Sequence, residues 1–188
     1  MFEEMSVLPT GFELGPSFPL TAPKQPPITG SDFREVMSHL AATVTVVTAI
    51  HDGERRGRTA TAVLPLAPEP PSILVSIDGT SRLADLIAAS GRFSLAVLAT
   101  DQRDVGDAFA GKLGKIDRFS VGDWSEWPSG DPLLANAVSA IDCEVIGRMD
   151  TGTHILFAGG IVESRSDESR QALLWHRRGY RGIELSAD

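Results

Sequence analysis

GRTATAV (57–63), DGTSRLADL (78–86) and DAFAGK (107–112) are the pieces on which the reading of this chain turns. Each sets small residues, hydroxyls or a cation beside an apolar run that reads as a strand or a helix start. Residues 43–50 are β-branched over their first six positions, the composition of a strand. Asp52-Gly53 is a turn signal, and 57–64 returns as the second strand of a hairpin. Pro65 and the cluster Pro68-Glu69-Pro70-Pro71 break regular structure before a third, largely buried strand at 72–77. Thr80 or Ser81 caps a helix that runs to Ala89, with Leu83, Leu86 and Ile87 on its inner face and Gly91 ending it.

Further along, 92–99 is a fourth strand, and Asp101 opens a helix that ends near Ala110-Gly111. Residues 112–132 hold Trp124, Trp127, Pro128 and Pro132 with little periodicity and read as a long loop. Two long strands, 137–147 and 154–163, are joined over Asp150-Thr151-Gly152. A last helix is expected at 168–175 and a last short strand at 180–185. About six strands in mostly antiparallel succession, with helices between them, predict a β-dominated α+β fold: a barrel with peripheral helices, not a Rossmann sheet.

Upstream, Ser31-Asp32 is a candidate N-cap with Glu35 returning the interaction. Phe33, Val36, Met37 and Leu40 follow at i, i+3, i+4, i+7, a stripe expected to face a core. Residues 1–30 carry Pro9, Pro16, Pro19, Pro23, Pro26 and Pro27 and read as an extended or disordered arm on a domain of 31–188. Phe12, Leu14, Phe18 and Leu20 give that arm an apolar strip.

A net charge of −8 argues against a nucleic-acid partner, because phosphate-backbone affinity needs concentrated Lys and Arg. The single cysteine, Cys143, excludes an intrachain disulfide framework and lies in an apolar strand-like run, where a buried inert thiol is expected. No apolar run approaches the length of a membrane span, and the acidic N-terminus lacks the basic region of a secretory signal, so a cytoplasmic protein is expected. His39, His51 and His176 show no metal-ligand spacing. A P-loop, a GxSxG elbow and a GxGxxG fingerprint are all absent.

Chemically, DGTSRLADL is the best anion candidate. Thr80 and Ser81 fall at a predicted helix N-terminus, where free N–H groups and the helix dipole favour a phosphate. Arg82 adds a charge and a planar fork. The plainer alternative is an ordinary cap with a solvated arginine. Similarly, Gly111 and Lys112 are a helix C-cap with a dipole-relieving cation, or a second approach to a phosphate.

These motifs, together with FREVMSHLAATVTVVTA (33–49) and GTHILFAGGIVE (152–163), resemble the flavin reductase-like family over roughly residues 31–185. The resemblance implies an FMN-binding split barrel that reduces FMN, or FAD, with NAD(P)H, often for a partner monooxygenase, and that works as a homodimer. It assigns Thr59, Ala60, Thr61, Ala62 and Val63 to the flavin ring, and Asp78, Thr80, Ser81 and Arg82 to the phosphate. Gly79 departs from the often basic residue of that motif. Phe109, Gly111 and Lys112 match the family's Phe-(Ala/Ser)-Gly-Lys, with Phe109 over a ring edge and Lys112 near phosphate. His154 is implied near the flavin and the incoming nicotinamide, although Thr153 replaces the family's usual Asp. Tyr180 and Arg181 fall near the flavin mouth, and Arg177 and Arg178 form a basic run that a nucleotide pyrophosphate would favour. The alternative is a flavin-binding module, or an oxidase of the pyridoxamine-phosphate-oxidase kind, with no NAD(P)H:flavin reductase activity.

Overall fold

In the computed structural model, which describes residues 20–183, the β-branched run becomes the centre of an antiparallel sheet. The elements in chain order are Gly30–Ser38 (α1), Ala42–Thr43 (β1), Thr45–His51 (β2), Glu54–Ala60 (β3), Val63–Pro68 (β4), Pro71–Asp78 (β5), Arg82–Ser90 (α2) and Arg92–Val97 (β6). They continue with Arg103–Phe109 (α3), Trp124–Glu126 (β7), Pro132–Leu134 (β8), Ser139–Asp150 (β9), His154–Ser166 (β10), Leu174–His176 (β11) and Gly179–Arg181 (β12).

Seven of these strands form one sheet in the order β3-β2-β6-β9-β10-β5-β4. Its two outer strands, β3 and β4, are consecutive in the chain and separated only by Thr61 and Ala62. On one side of that break the Ala60 carbonyl accepts from Thr45 Oγ1 at 2.7 Å; on the other the Ala62 carbonyl accepts from Ser76 N at 3.0 Å. One bent segment therefore belongs to both edges and turns the sheet on itself. Counted that way the ring has six strands, which is the split barrel expected from the sequence.

Four local expectations are corrected. The strand expected at 57–64 is interrupted at Thr61-Ala62, because its two halves pair with different partners. Pro65 and Pro68 do not end regular structure but lie within β4, which pairs on one side only with β5, so a missing N–H is tolerated there. The helix expected at 168–175 is instead a turn followed by β11. Gln171 O accepts from Thr100 N, Leu173 N donates to Leu98 O, and Leu173 O accepts from Val44 N. Those non-local ladder bonds override the local helical preference. The loop expected at 112–132 contains β7 and a 3-10 turn at Arg118–Ser120.

Helix α1 is capped by Thr29, whose Oγ1 accepts from Asp32 N, ahead of the expected Ser31-Asp32. Its apolar stripe does not face a core: Phe33, Val36, Met37 and Leu40 are exposed, and no residue of α1 is buried. Helix α2 behaves as read, with Ser81 as N-cap and Gly91 at φ 68° after its last turn. Residues 1–19 of the predicted arm, with Phe12, Leu14 and Phe18, and the end of the predicted strand at 184–185 lie outside the described residues; Leu20–Thr29 form neither helix nor strand.

Inside the barrel Val47, Val75, Phe93, Phe157 and Cys143 pack with Leu86 and Ile87 of α2. A second cluster joins Val46, Leu98 and Leu173 to Phe109 of α3, Phe119 and Trp127. Gly57 permits this second contact, since a Cβ there would lie 2.5 Å from the Phe109 ring.

The interior also holds a buried carboxyl group. Asp131 is fully buried; its Oδ1 accepts from Ile50 N at 3.2 Å, and its Oδ2 lies 3.5 Å from Arg92 Nε. Burial, with repulsion from the buried Asp142, pushes the Asp131 carboxyl up to about 6. Its folded pKa thus lies above the unfolded one, so its contribution is complete below about pH 4 and is lost as the pH rises through about 6. Asp131→Asn keeps the acceptor without the charge. The wild type should therefore lose stability relative to this variant between about pH 4 and 7, by about 2–3 kcal/mol. Urea unfolding of both proteins across that range checks this; a pH-independent difference would refute the assignment.

Candidate functional site

The bend at Thr61-Ala62 exposes a small hollow of about 210 Å³ on the barrel, lined by Arg58, Thr59, Ala60, Thr61, Ala62, Ser76, Ile77, Asp78 and His154. The β-register explains the grouping: β10 pairs with β5 so that His154 faces Asp78 across the ladder. Alanine at 60 and 62 leaves the wall low and the backbone approachable. Thr59 is already committed, its Oγ1 donating to Gly106 O at 2.7 Å and tying β3 to α3. Val63 starts β4 and packs with Ala60 against the barrel core, behind the hollow.

Arg58 also belongs to a larger cleft of about 740 Å³, which runs past the β2–β3 turn to the N-terminus of α2 and the 3-10 turn. Its charged lining is Arg55, Arg56, Arg58, Arg82 and Arg118 against Glu54 and Asp117. In a chain of net charge −8 this is a local excess of positive charge, placed where a phosphorylated ligand would enter. Arg118 is held by the backbone, Nη1 donating to Gly57 O and Phe109 O, and has no carboxylate within ion-pair distance among the described residues. Neither does Arg58.

The α2 end of the cleft is preassembled. Asp78 Oδ1 accepts from both Thr80 N and Thr80 Oγ1, bonds that hold its carboxyl below the usual range. Ser81 Oγ donates to Asp78 O and accepts from Ala84 N. The amides of Arg82 and Leu83, first in the helix, have no carbonyl one turn back within it and point out of its end. A nine-residue helix, a serine cap and an arginine fork at one cleft wall fit a phosphate monoester. Arg82, however, is paired: its guanidinium meets Glu54 at 2.6 Å.

Of the residues implied by the sequence, Thr59, Ala60, Thr61, Ala62, Asp78 and His154 come together in the hollow, while Ser81 and Arg82 line the adjoining cleft. Thr80 joins them through Asp78. Thr153, where the family resemblance implies an Asp, places its Oγ1 3.1 Å from His154 Nδ1. Phe109 is fully buried against Phe119 and Trp124, so it covers no ligand edge in this chain.

Gly111, at φ 78°, and Lys112 lie beyond α3 in a different cluster. There Lys112 Nζ meets Asp107 at 2.7 Å and sits 4.8 Å from the ring centres of Trp175 and Tyr180. Tyr180 donates its hydroxyl to Asp107, and burial together with that bond raises the phenol's pKa. Gly106 makes room for the phenol, since a Cβ there would stand 2.8 Å from Tyr180 Oη. Arg181 folds back on the Tyr180 carbonyl. Lys112, Tyr180 and Arg181 line neither cavity. Arg177 and Arg178 form the β11–β12 turn at positive φ, and Arg178 pairs with Glu35 of α1 at 2.7 Å, so the basic run ties elements together. Sequence reading missed Arg55, Arg56, Arg58 and Arg118. The signal for the first three was the run ERRGR (54–58) in an acidic chain; Arg118 carried none.

A six-stranded antiparallel ring with a low-walled hollow at its seam, and beside it, across Arg58, a cationic cleft capped by a helix N-terminus, defines a split-barrel protein for a flat ring carrying a phosphate. The chain belongs to the flavin reductase like domain family, whose family model matches residues 37–184. It is 35% identical over 161 residues to the FMN reductase (NADH) RutF of Stutzerimonas stutzeri strain A1501, covering 85% of this chain and 92% of that protein. It is 37% identical over 153 residues to the reductase component of the FADH(2)-dependent resorcinol hydroxylase of Rhizobium sp. strain MTP-10005, covering 80% and 86%. Among solved structures, the NADH:FAD oxidoreductase SgcE6 of Streptomyces globisporus C-1027, in complex with NAD and FAD fragments, superposes with a TM-score of 0.78 at 27% identity, covering 84% of this chain and 94% of that one.

The Arg82 cluster makes a prediction of its own. Arg82→Ala should weaken FMN binding by about 1–2 kcal/mol, below a fully free charged hydrogen bond because Glu54 already shares the fork. Riboflavin, which lacks the phosphate, should lose much less in the same fluorescence titration. Equal losses for both ligands would remove Arg82 from the phosphate site.

Proposed function

We propose that this chain reduces flavin, FMN first, at the expense of NADH, and supplies the reduced flavin to a partner oxygenase. The observation that carries this reading is the position of Arg58, which lines both the hollow at the barrel seam and the arginine-lined cleft at the α2 N-terminus. A reductase component among the similar proteins supports the partner oxygenase.

The flavin ring, when bound, supplies the hydride-accepting chemistry, and hydride transfer itself asks for no protein acid or base. What remains for the protein is placement. Ala60 and Ala62 leave one face of the hollow flat and low, so that a second ring has room to stack. Ser81, Arg82 and the first amides of α2 anchor the phosphate. Arg58, which lines both cavities and has no carboxylate partner among the described residues, would offer positive charge to a flavin that gains negative charge on reduction. His154, exposed at the start of β10 and oriented by Thr153, stands at the rim to orient the nicotinamide. Arg55, Arg56 and Arg118 favour the nucleotide's phosphates, in keeping with the lack of a dinucleotide fingerprint in the sequence.

The reading extends to assembly. Leu64 of β4 lies opposite Leu74 of β5, which lies opposite Ala158 of β10. Because Phe157 points into the core, this row lies on the outside of the barrel, where Leu64, Ile146 and Val162 are each more than half exposed. A two-fold contact with a second copy would cover that face. Residues 31–188 are then the reductase unit and 1–30 an arm upon it. The single cysteine, unpaired and buried, is in keeping with a cytoplasmic protein.

Stopped-flow mixing of the FMN-loaded protein with NADH tests the activity: rapid bleaching with turnover is expected, and bound yellow flavin that ignores NADH would leave a binding module. His154→Ala should raise the NADH concentration for half-maximal bleaching about tenfold, the scale of one positioning contact, with FMN affinity nearly unchanged. Normal bleaching, or simple loss of FMN, would refute that role. Light scattering at micromolar concentration should give twice the chain mass; a fully active monomer would count against the two-fold contact.

A further inference from the structure

Glu54 opens β3 directly after the β2–β3 turn and stands inside the arginine-lined cleft. Its two oxygens are divided between two cations. Oε1 lies 2.7 Å from Arg56 Nη2. Oε2 accepts from Arg82 Nε at 3.0 Å and from Arg82 Nη2 at 2.6 Å. A single carboxylate oxygen therefore fills the Nε/Nη2 edge of Arg82, an edge with which a guanidinium grips an oxyanion. The remaining Nη1 is turned toward Asp85 at 3.5 Å. Both available faces of this arginine are thus held by carboxylates.

The pair is not needed to hold α2 in place. That helix is anchored by Leu83, Ala84, Leu86 and Ile87, all buried, whereas the Glu54 and Arg82 side chains stand 30% and 55% exposed. Glu54 is itself fixed through its backbone, as the ladder partner of His51. An exposed ion pair between residues 28 apart contributes little to stability, yet it occupies the group most suited to a phosphate.

We propose that Glu54 sets the affinity and selectivity of the phosphate site: its carboxylate occupies Arg82 in place of the flavin phosphate and is displaced when the phosphate binds. The inference rests on the reading above that Arg82 receives that phosphate. Displacement is an exchange of one anion for another, so the flavin gains only the difference between two charge-assisted contacts. Arg56 makes the exchange feasible, because Glu54 can turn about its Oε1 contact and keep a cation while it releases Arg82. A single negative charge on Glu54 also discriminates by ligand charge: the phosphate dianion of FMN can displace it, and a neutral ribityl hydroxyl cannot. The result is a site that recognises the phosphate without retaining it, as suits a flavin that has to leave in its reduced form.

Fluorescence titration of FMN and of riboflavin into the wild-type chain, Glu54→Gln, Arg82→Ala and the double variant tests this, with thermal melts to show that each protein is folded. Glu54→Gln should tighten FMN about threefold to fivefold, the span of an exposed ion pair, and leave riboflavin unchanged. The gain should vanish in the double variant. FMN affinity that is unchanged or weakened in Glu54→Gln, while Arg82→Ala still loses FMN selectively, overturns the proposal and leaves the phosphate reading intact. Tightening of FMN and riboflavin alike also overturns it, since the effect would not then act through the phosphate. If Arg82→Ala has no selective effect on FMN, the phosphate reading falls and this proposal falls with it.

Discussion

One chain segment has to serve both edges of the sheet, and the rest of the molecule is arranged around that requirement. Residues 54–68 leave the β2–β3 hairpin paired to one side and finish paired to the other, and the change of partner is completed within Thr61 and Ala62. A sheet ends in two edge strands, each with a row of unpaired backbone; here both edge strands, β3 and β4, are halves of one segment, and each is paired on one side only. The two residues at the bend, Thr61 and Ala62, are exposed, and with Ala60 they line the hollow. The change of partner that closes the fold and the opening of the site therefore fall at the same place in the chain. A larger side chain at Ala60 or Ala62 would fill the hollow.

Electrostatics in this chain is a matter of placement. Asp and Glu outnumber Lys and Arg by 25 to 17, yet five arginines converge on one cleft with two carboxylates among them. Elsewhere arginines stand in short-range pairs, such as Arg170 with Asp101 and Arg178 with Glu35, and the surplus acid lies outside the cleft. A field of this kind draws anions toward one mouth of a molecule that is acidic overall. In the interior the same economy fails once, at Asp131 and Asp142, where two carboxylates share Arg92 and one oxygen of each lacks a hydrogen-bond partner.

What was legible in the sequence was mainly what short-range pattern controls. The β-branched run at 43–48, the Asp52-Gly53 turn, the serine cap and the glycine stop of α2 all express local backbone preferences, and all fall close to where they were expected. The split at Thr61-Ala62 and the strand at Leu174–His176 depend on partners far away in sequence, which no local period records. Helix α1 shows the opposite failure: its stripe is regular, but periodicity cannot say what lies opposite, and among the described residues nothing buries it. For the site, the motif residues flanking the bend were legible because small residues and hydroxyls stand out beside a strand. Phe109 was misread because a motif gives position and not burial. Arg118 was invisible, since only the fold brings it across 61 residues to the carbonyl of Gly57.

Cys143 lies at the centre of the barrel on β9, with no exposed surface, and burial pushes its thiol up to about 12. At neutral pH almost none of it is thiolate, the form that peroxides and electrophiles attack. Reduced flavins react with dioxygen and give hydrogen peroxide, so a protein that releases them works beside an oxidant of its own making. The one sulfhydryl in the chain is insulated from that by-product by Phe93 and Phe157 on the neighbouring strands. Self-inflicted inactivation by thiol oxidation would require the barrel to open first. Tolerance of its own side reaction is in this way set by the stability of the fold.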